Sequence, residues 1–404
     1  FVGNKGSKRL FGGRTDNKMK KICVVTATRA EYGLLRRVIN EIYQDKELEL
    51  CLVVTGTHLM KKYGYTIEEI EKDGFPIAQK IEVSTQGNSE KEICYTMGEM
   101  TMKFADMYEQ QKPDMLIVEG DRYELLPICS TAMMFGIPIA HISGGEVTEG
   151  AVDDVVRHCV TKMSYLHFPG YEAYCKRVIQ LGEAPERVFN YGDVGVENVR
   201  KMEFLSKEQL EESLKISLKK PYASVTFHPV TLEKDTAVAQ AQALLSVLKK
   251  HKDMNFIVTM SNADLHGAEI NDVFMQAAEE NDNIFCYASL GIVRYLSLMR
   301  YAEFVIGNSS SGIVETPCFG VPTVNIGDRQ KGRLRADSVI DCGTDEQSIC
   351  AAIEKARSQV FKEIAKNAVN PYGDGETSKK IVETVKKFLT KDCINLKKKF
   401  YDVR

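Results

Sequence analysis

The strongest constraint on this 404-residue chain is an alternation of short apolar runs with helix-period segments, and the alternation occurs twice. KICVVTA, residues 21–27, is brief, apolar and β-branched, which marks a buried strand. A polar turn follows, and then Leu34, Leu35, Val38, Ile39 and Ile42 recur at helical spacing. Further strands are read at residues 48–56, 78–83, 114–120 and 137–143, with helices over 91–110 and 123–135. Helices over VDDVVRHCVTKMS and residues 171–181, a short strand in RVFNYGD and the segment VGVENVRK complete the first half. The pattern then restarts. Strand-plus-loop units appear at PYASVTFHPVT, NFIVTMSNAD, NIFCYAS, YAEFVIGNSSSG and VPTVNIGDRQKGR, interleaved with helices over 237–250, 268–280, 292–300, 313–319 and 349–358. Strands joined through helices predict parallel sheets, with ligand groups at the C-terminal strand ends. The expected fold class is α/β: two Rossmann-like domains with parallel sheets facing across a cleft. Residues 1–18 read as a flexible extension and 19–194 as the first domain, with the boundary near Gly195. Residues 195–377 read as the second domain, and 378–404 as an amphipathic helix crossing back to the first.

The bulk properties narrow the function classes. A net charge of −3 gives no electrostatic case for nucleic acid or an anionic membrane. No apolar run approaches the roughly 20 residues of a membrane span. The eleven cysteines include no CxxC pair, and several sit inside apolar runs, so they read as small buried hydrophobes of a reducing, cytoplasmic setting. No GxGxxG follows the first strand, which disfavours a dinucleotide, and no Walker loop occurs, so no cofactor is expected.

The chemistry-bearing residues fall just after predicted strands. GNSSSGIVE (307–315) offers close backbone approach at Gly307, hydroxyls at Ser309, Ser310 and Ser311, and free N–H groups at a helix start. That suits a diphosphate, the plain alternative being a serine N-cap. Glu315, one turn on, could accept from ribose hydroxyls or face solvent. Arg29 could clamp a phosphate, with Gly33 allowing close approach, or lie on the surface. His228 in FHPVT could meet a phosphate or serve structure only, and Asn262 with Asp264 could read a base or form Asx turns. The densest stretch is HISGGEVTEGAVDDVVRH (141–158), preceded by EGDRYE (119–124). Asp121, Glu146, Asp153 and Asp154 are the proton-handling candidates, because carboxylates grouped in a cleft push one another's pKa values up. Asp153 and Arg157 are four apart, hence on one helix face, as partners in catalysis or as an ordinary salt bridge. The spacing matches neither HExxH nor His-x-His, so no metal is expected.

These blocks carry a resemblance. TRAEYGLL, VTGTHL, EGDRYE, HISGGEVTEGAVDDVVRH, FHPVT, GNSSSGIVE, GVPTVNIGDRQKGR and NPYGDG run in order from residue 28 to 375. Together they resemble the hydrolysing UDP-N-acetylglucosamine 2-epimerases of sialic-acid and legionaminic-acid type sugar biosynthesis. The resemblance implies a GT-B architecture, with the acid/base cluster on the first domain and UDP on the second. It implies elimination of UDP through loss of the C2 proton, then addition of water to give N-acetylmannosamine. The same chemistry on a UDP-2,4-diacetamido-6-deoxy sugar is the first alternative. A GT-B glycosyltransferase and a catalytically silent UDP-sugar binder are the others. By motif position Arg29, Arg122, His228, Asn262, Ser309, Ser310, Glu315 and Arg329 would hold UDP, and His58 would lie near the sugar. Asp121, Glu146 and Asp153 would form the acid/base set, with Arg157 orienting Asp153. Ser143 stands where many members carry a glutamate, which leaves Glu146 to substitute. A homo-oligomer is also implied.

Overall fold

The computed structural model describes residues 19–84, 89–148, 151–230, 236–261, 267–373, 375–391 and 394–403. The expected extension over 1–18 lies outside the described residues, as do Asn262 and Asp264.

The first half builds one six-stranded sheet from β1 (Lys20–Thr26), β2 (Leu48–Thr55), β3 (Ile77–Ile81), β4 (Met115–Glu119), β5 (Ile139–Ile142) and β6 (Leu166–Phe168). The second half builds another from β7 (Tyr222–Thr226), β8 (Asn255–Thr259), β9 (Ile284–Tyr287), β10 (Phe304–Gly307), β11 (Thr323–Ile326) and β12 (Val339–Cys342). Their orders are β3-β2-β1-β4-β5-β6 and β12-β11-β10-β7-β8-β9. All the strand pairs are parallel. Both orders are the same doubly wound arrangement, which reverses direction between the first and fourth strands of each half. A crevice opens at such a reversal because the two adjoining connections leave for opposite faces. The switch points lie between β1 and β4 and between β7 and β10.

Strand burial explains the near-continuous apolar runs, since helices cover both faces of each sheet. Val24, Leu52 and Ile117 pack one face of the first sheet with Leu35, Val38 and Ile39 of the helix Arg29–Gln44. Cys23, Val53, Leu116 and Val118 face the other side, against Phe104 and Ile128. The helix Thr377–Thr390 joins the first core through Ile381, Val382 and Val385, and Lys386 reaches Asp45 at 2.9 Å. Among the described residues no helix is long and apolar enough to cross a membrane.

Three local expectations are corrected. RVFNYGD forms no strand; Val188 makes only an isolated bridge to His167, and the sixth strand is Leu166–Phe168. The helix expected over 313–319 is a short turn of helix, Ser311–Val314, followed by the tighter turn Thr316–Phe319, where Pro317 lacks the N–H needed to continue it. The strand β12 has no counterpart in the sequence reading, because VIDC is an edge strand whose alternate positions are partly exposed.

Candidate active site

The loops at the two switch points, together with those after β5 and β11, meet around a cavity of about 250 Å³. Its walls include Arg29, Gly33, Asp121, Arg122, Glu146 and Asp153 from the first half. His228, Ser309, Ser310, Glu315 and Arg329 face them from the second.

The loop after β1 is shaped by a capping box. Thr28 caps the helix Arg29–Gln44, and Glu31 Oε2 accepts from the N–H groups of Ala27 at 2.7 Å and Thr28 at 2.9 Å. Glu31 also lines the cavity, where burial and the nearby Glu124 push its carboxyl up to about 7. Arg29 spans the cleft: its guanidinium donates to the carbonyls of Met260, at 2.7 Å, and Ala288. At Gly33 an added Cβ would stand 3.0 Å from Ile292 Cδ1. Its close approach is therefore to the other half of the chain.

The loops after β4 and β5 bring the carboxylates together. Arg157 is fully buried and donates to Glu146 O at 3.0 Å, Thr148 Oγ1 at 3.1 Å, Asp154 Oδ1 at 3.3 Å and the Asp121 carboxylate. Burial alone would raise Asp121, but Arg157, Arg333 and Arg329 outweigh it and hold its carboxyl below the ordinary value. This corrects two expectations. Arg157 orients Asp121 and Asp154 in place of Asp153, whose carboxylate lies 3.5 Å from Arg329 Nη2. Mutual repulsion among carboxylates does not set the Asp121 pKa, because the charges of Arg157, Arg333 and Arg329 prevail. Repulsion and burial do act elsewhere. Glu119 is driven well up by burial and by Asp121, and Asp193 is raised to about 6 by burial and Glu146.

Two histidines serve the frame. His58 is fully buried, with its ring nitrogens 3.0 Å from Thr26 Oγ1 and 2.7 Å from Thr66 Oγ1, and it does not line the cavity. The expectation that it lies near a ligand is corrected accordingly. His141 is likewise buried, 2.7 Å from Gly120 O, and burial pushes its ring down to about 3, so it is neutral beneath the β4 turn.

The second-half wall is organised by Asn308. Its side chain accepts from His228 N at 2.7 Å and donates to His228 O at 2.8 Å, tying the β7 and β10 loops together. Its own carbonyl accepts from Arg329 at 3.1 Å and Gln330 at 2.9 Å. His228 Nδ1 lies 3.0 Å from Ser261 Oγ. Glu315 is pushed up to about 7 by burial and Asp193. The second wall thus offers hydroxyls, a histidine and arginine positive charge, which together suit an anion.

The sequence reading singled out neither Glu31, Glu119, Asp193, Asn308 nor Arg333, all of which sit in or beside the cleft. Glu31 had a signal, the T-x-x-E capping box, and Arg333 closes the block GDRQKGR four residues after Arg329. Asn308 and Glu119 lie inside the blocks GNSSSGIVE and EGDRYE, whereas Asp193 had no such signal, since only the fold brings it to the cleft.

Comparison with known proteins gives the family and the fold. The chain is 42% identical over 385 residues, 95% of this chain and 99% of the relative, to a GDP/UDP-N,N'-diacetylbacillosamine 2-epimerase (hydrolyzing) of Campylobacter jejuni. It is 38% identical to polysialic acid biosynthesis protein P7 of Escherichia coli, covering 95% of this chain and 98% of that one. A UDP co-structure of S. aureus MnaA superposes with a TM-score of 0.77 at 19% identity, over 92% of this chain and 97% of that chain, and shows the same two-domain GT-B fold. The UDP-N-acetylglucosamine 2-epimerase profile matches residues 40–386, and the chain belongs to that family.

Proposed function

We propose that this chain is a hydrolysing 2-epimerase of a UDP-linked 2-acetamido sugar. The observation that carries the reading is one cleft with an anion-suited wall on the second half and a carboxylate cluster on the first. A base takes the C2 proton. The electron pair freed at C2 forms a C1=C2 double bond as the C1–O bond breaks, and UDP leaves with the bonding pair of that C1–O bond. Water then adds its hydroxyl to C1, and a proton returns to C2 from the opposite face. Elimination needs a base on the sugar and charge stabilisation on the leaving diphosphate.

In this reading Ser309, Ser310, Arg329, Arg122, His228 and Arg29 hold the nucleotide, and Glu315 accepts from the ribose. Asp121, Glu146 and Asp153 handle protons. Asp121, kept ionised by Arg157, is available as a base throughout the neutral range. N-acetylglucosamine is one candidate sugar. The 2,4-diacetamido-6-deoxy sugar is the second, favoured by the name of the C. jejuni relative. A cytoplasmic homo-oligomer belongs to the same reading, and its mass in solution tests the assembly.

An NMR time course in D2O with each UDP-sugar tests the chemistry. Deuterium at C2 of a released, inverted amino sugar is the expected result. No UDP release from either sugar would sink the reading, and release only with an added acceptor would favour a glycosyltransferase. Asp121→Asn and Asp153→Asn should each lower turnover by roughly 10²-fold or more, the scale of lost acid–base catalysis. Near-normal rates in both would remove them from the roles assigned.

A further inference from the structure

Glu146 is almost fully buried in the cavity wall, and its Oε2 lies 2.5 Å from Arg333 Nη2. Its Oε1 is buried with no hydrogen-bond partner. A carboxylate oxygen left so is costly, unless a ligand supplies the missing donor. Arg333 belongs to the other half of the chain, and it is itself held. The next residue, Leu334, donates its N–H to Tyr174 Oη at 3.2 Å, and its carbonyl accepts from Tyr372 Oη at 2.8 Å. The two hydroxyls lie 3.1 Å apart. Tyr174 sits on the first-half helix Glu172–Gln180. From the same helix Arg177 stands over the Tyr174 ring and donates to Gly145 O. A closed circuit therefore runs from Gly145 through Arg177, Tyr174, Leu334 and Arg333 to Glu146, the residue beside its start. The circuit passes through both halves, so it closes only when they are seated on each other.

We infer that Arg333 is a positioning residue: it orients the Glu146 carboxyl across the cleft, leaving Oε1 to receive the substrate, and makes that orientation depend on closure of the two halves. The inference rests on the 2-epimerase reading. Arg333 fixes one oxygen by a charge-assisted bond, which selects one rotamer of Glu146 and leaves one acceptor open. The tyrosine pair fixes the backbone from which Arg333 projects.

The test uses the full chain, steady-state UDP release and calorimetric UDP affinity. Arg333→Lys keeps the charge and loses the planar fork. Its kcat should fall about tenfold or more, with KM and UDP affinity within about threefold of the parent, the pattern of an interaction made in the transition state. Arg333→Met should lose roughly 10²-fold in kcat. Removing one partner of a buried pair can unfold a protein, so Tyr174→Phe supplies the second variant. It keeps the ring and loses the hydroxyl on Leu334, and should lower kcat in the same direction by a smaller factor. Parental kcat in both Arg333→Lys and Tyr174→Phe, or losses confined to KM and thermal stability, would overturn the inference. A parent that releases no UDP from any UDP-2-acetamido sugar would overturn the functional reading as well, which separates the two failures.

Discussion

Glu315 is a cavity-lining carboxylate whose burial is costly to the fold. It is buried at the base of the serine loop, and burial with Asp193 pushes its carboxyl up to about 7 from an ordinary 4.5. The folded chain therefore prefers the protonated form. The stability that preference confers is complete below about pH 4.5 and is lost as pH rises through 7. Glu315→Gln carries no charge at any pH. It should be more stable than the parent at pH 8, by up to about 3 kcal/mol, and no more stable at pH 4. Thermal unfolding at the two pH values checks this, and equal shifts at both would reject it. The same variant should bind UDP more weakly if Glu315 accepts from the ribose. Ser143 is the complementary case. It takes φ +62°, a left-handed conformation uncommon for a residue with a side chain, immediately before the Gly144–Gly145 pair that carries Glu146. Its letter was readable as a missing carboxylate. Its backbone was not, because a positive φ at a serine is imposed by the surrounding turn.

At the scale of elements, the site depends on how β10 ends. Gly307 has φ +139°, and an added Cβ would collide with the carbonyl oxygen of Thr226 on β7. Only glycine lets the chain leave the sheet there and turn Asn308 onto the β7 loop. Gly307→Ala should destabilise the fold by roughly 2 kcal/mol or more and weaken UDP binding with it. Denaturant unfolding and calorimetry measure the two effects; unchanged values in both would show that the loop does not need this turn. Elements such as the helix Ala237–Lys250 were legible to the residue from their spacing. The short helix Ser311–Val314 and the edge strand β12 were not, since a few residues hold too little periodicity to separate helix from strand.

For the whole molecule the relevant contacts cross between the halves: Arg29 with the carbonyls beyond β8 and β9, Arg329 with Asp153, and Arg333 with Glu146. A ligand seated among them stabilises the folded chain by mass action. UDP at about 100 times its Kd should add about 2.7 kcal/mol to unfolding stability, and Arg329→Met should lose most of that gain at the same concentration. A full gain in the variant would take Arg329 out of the nucleotide site. The sequence by itself determined the doubly wound α/β class, the repetition of the pattern, and the loops after strand ends as the place of chemistry. These follow from local periodicity and from the ordered blocks, each contained within a few adjacent residues. Tertiary structure alone decided the partners. Arg157 turns to Asp121 and Asp154, where helical spacing pointed to Asp153; His58 faces threonines inside the fold; Arg333 reaches Glu146 from nearly 190 residues away along the chain. Spacing along one helix limits which residues share a face, but charge pairs form with whatever the fold brings nearest, and that is a property of two sheets whose loops line one cleft.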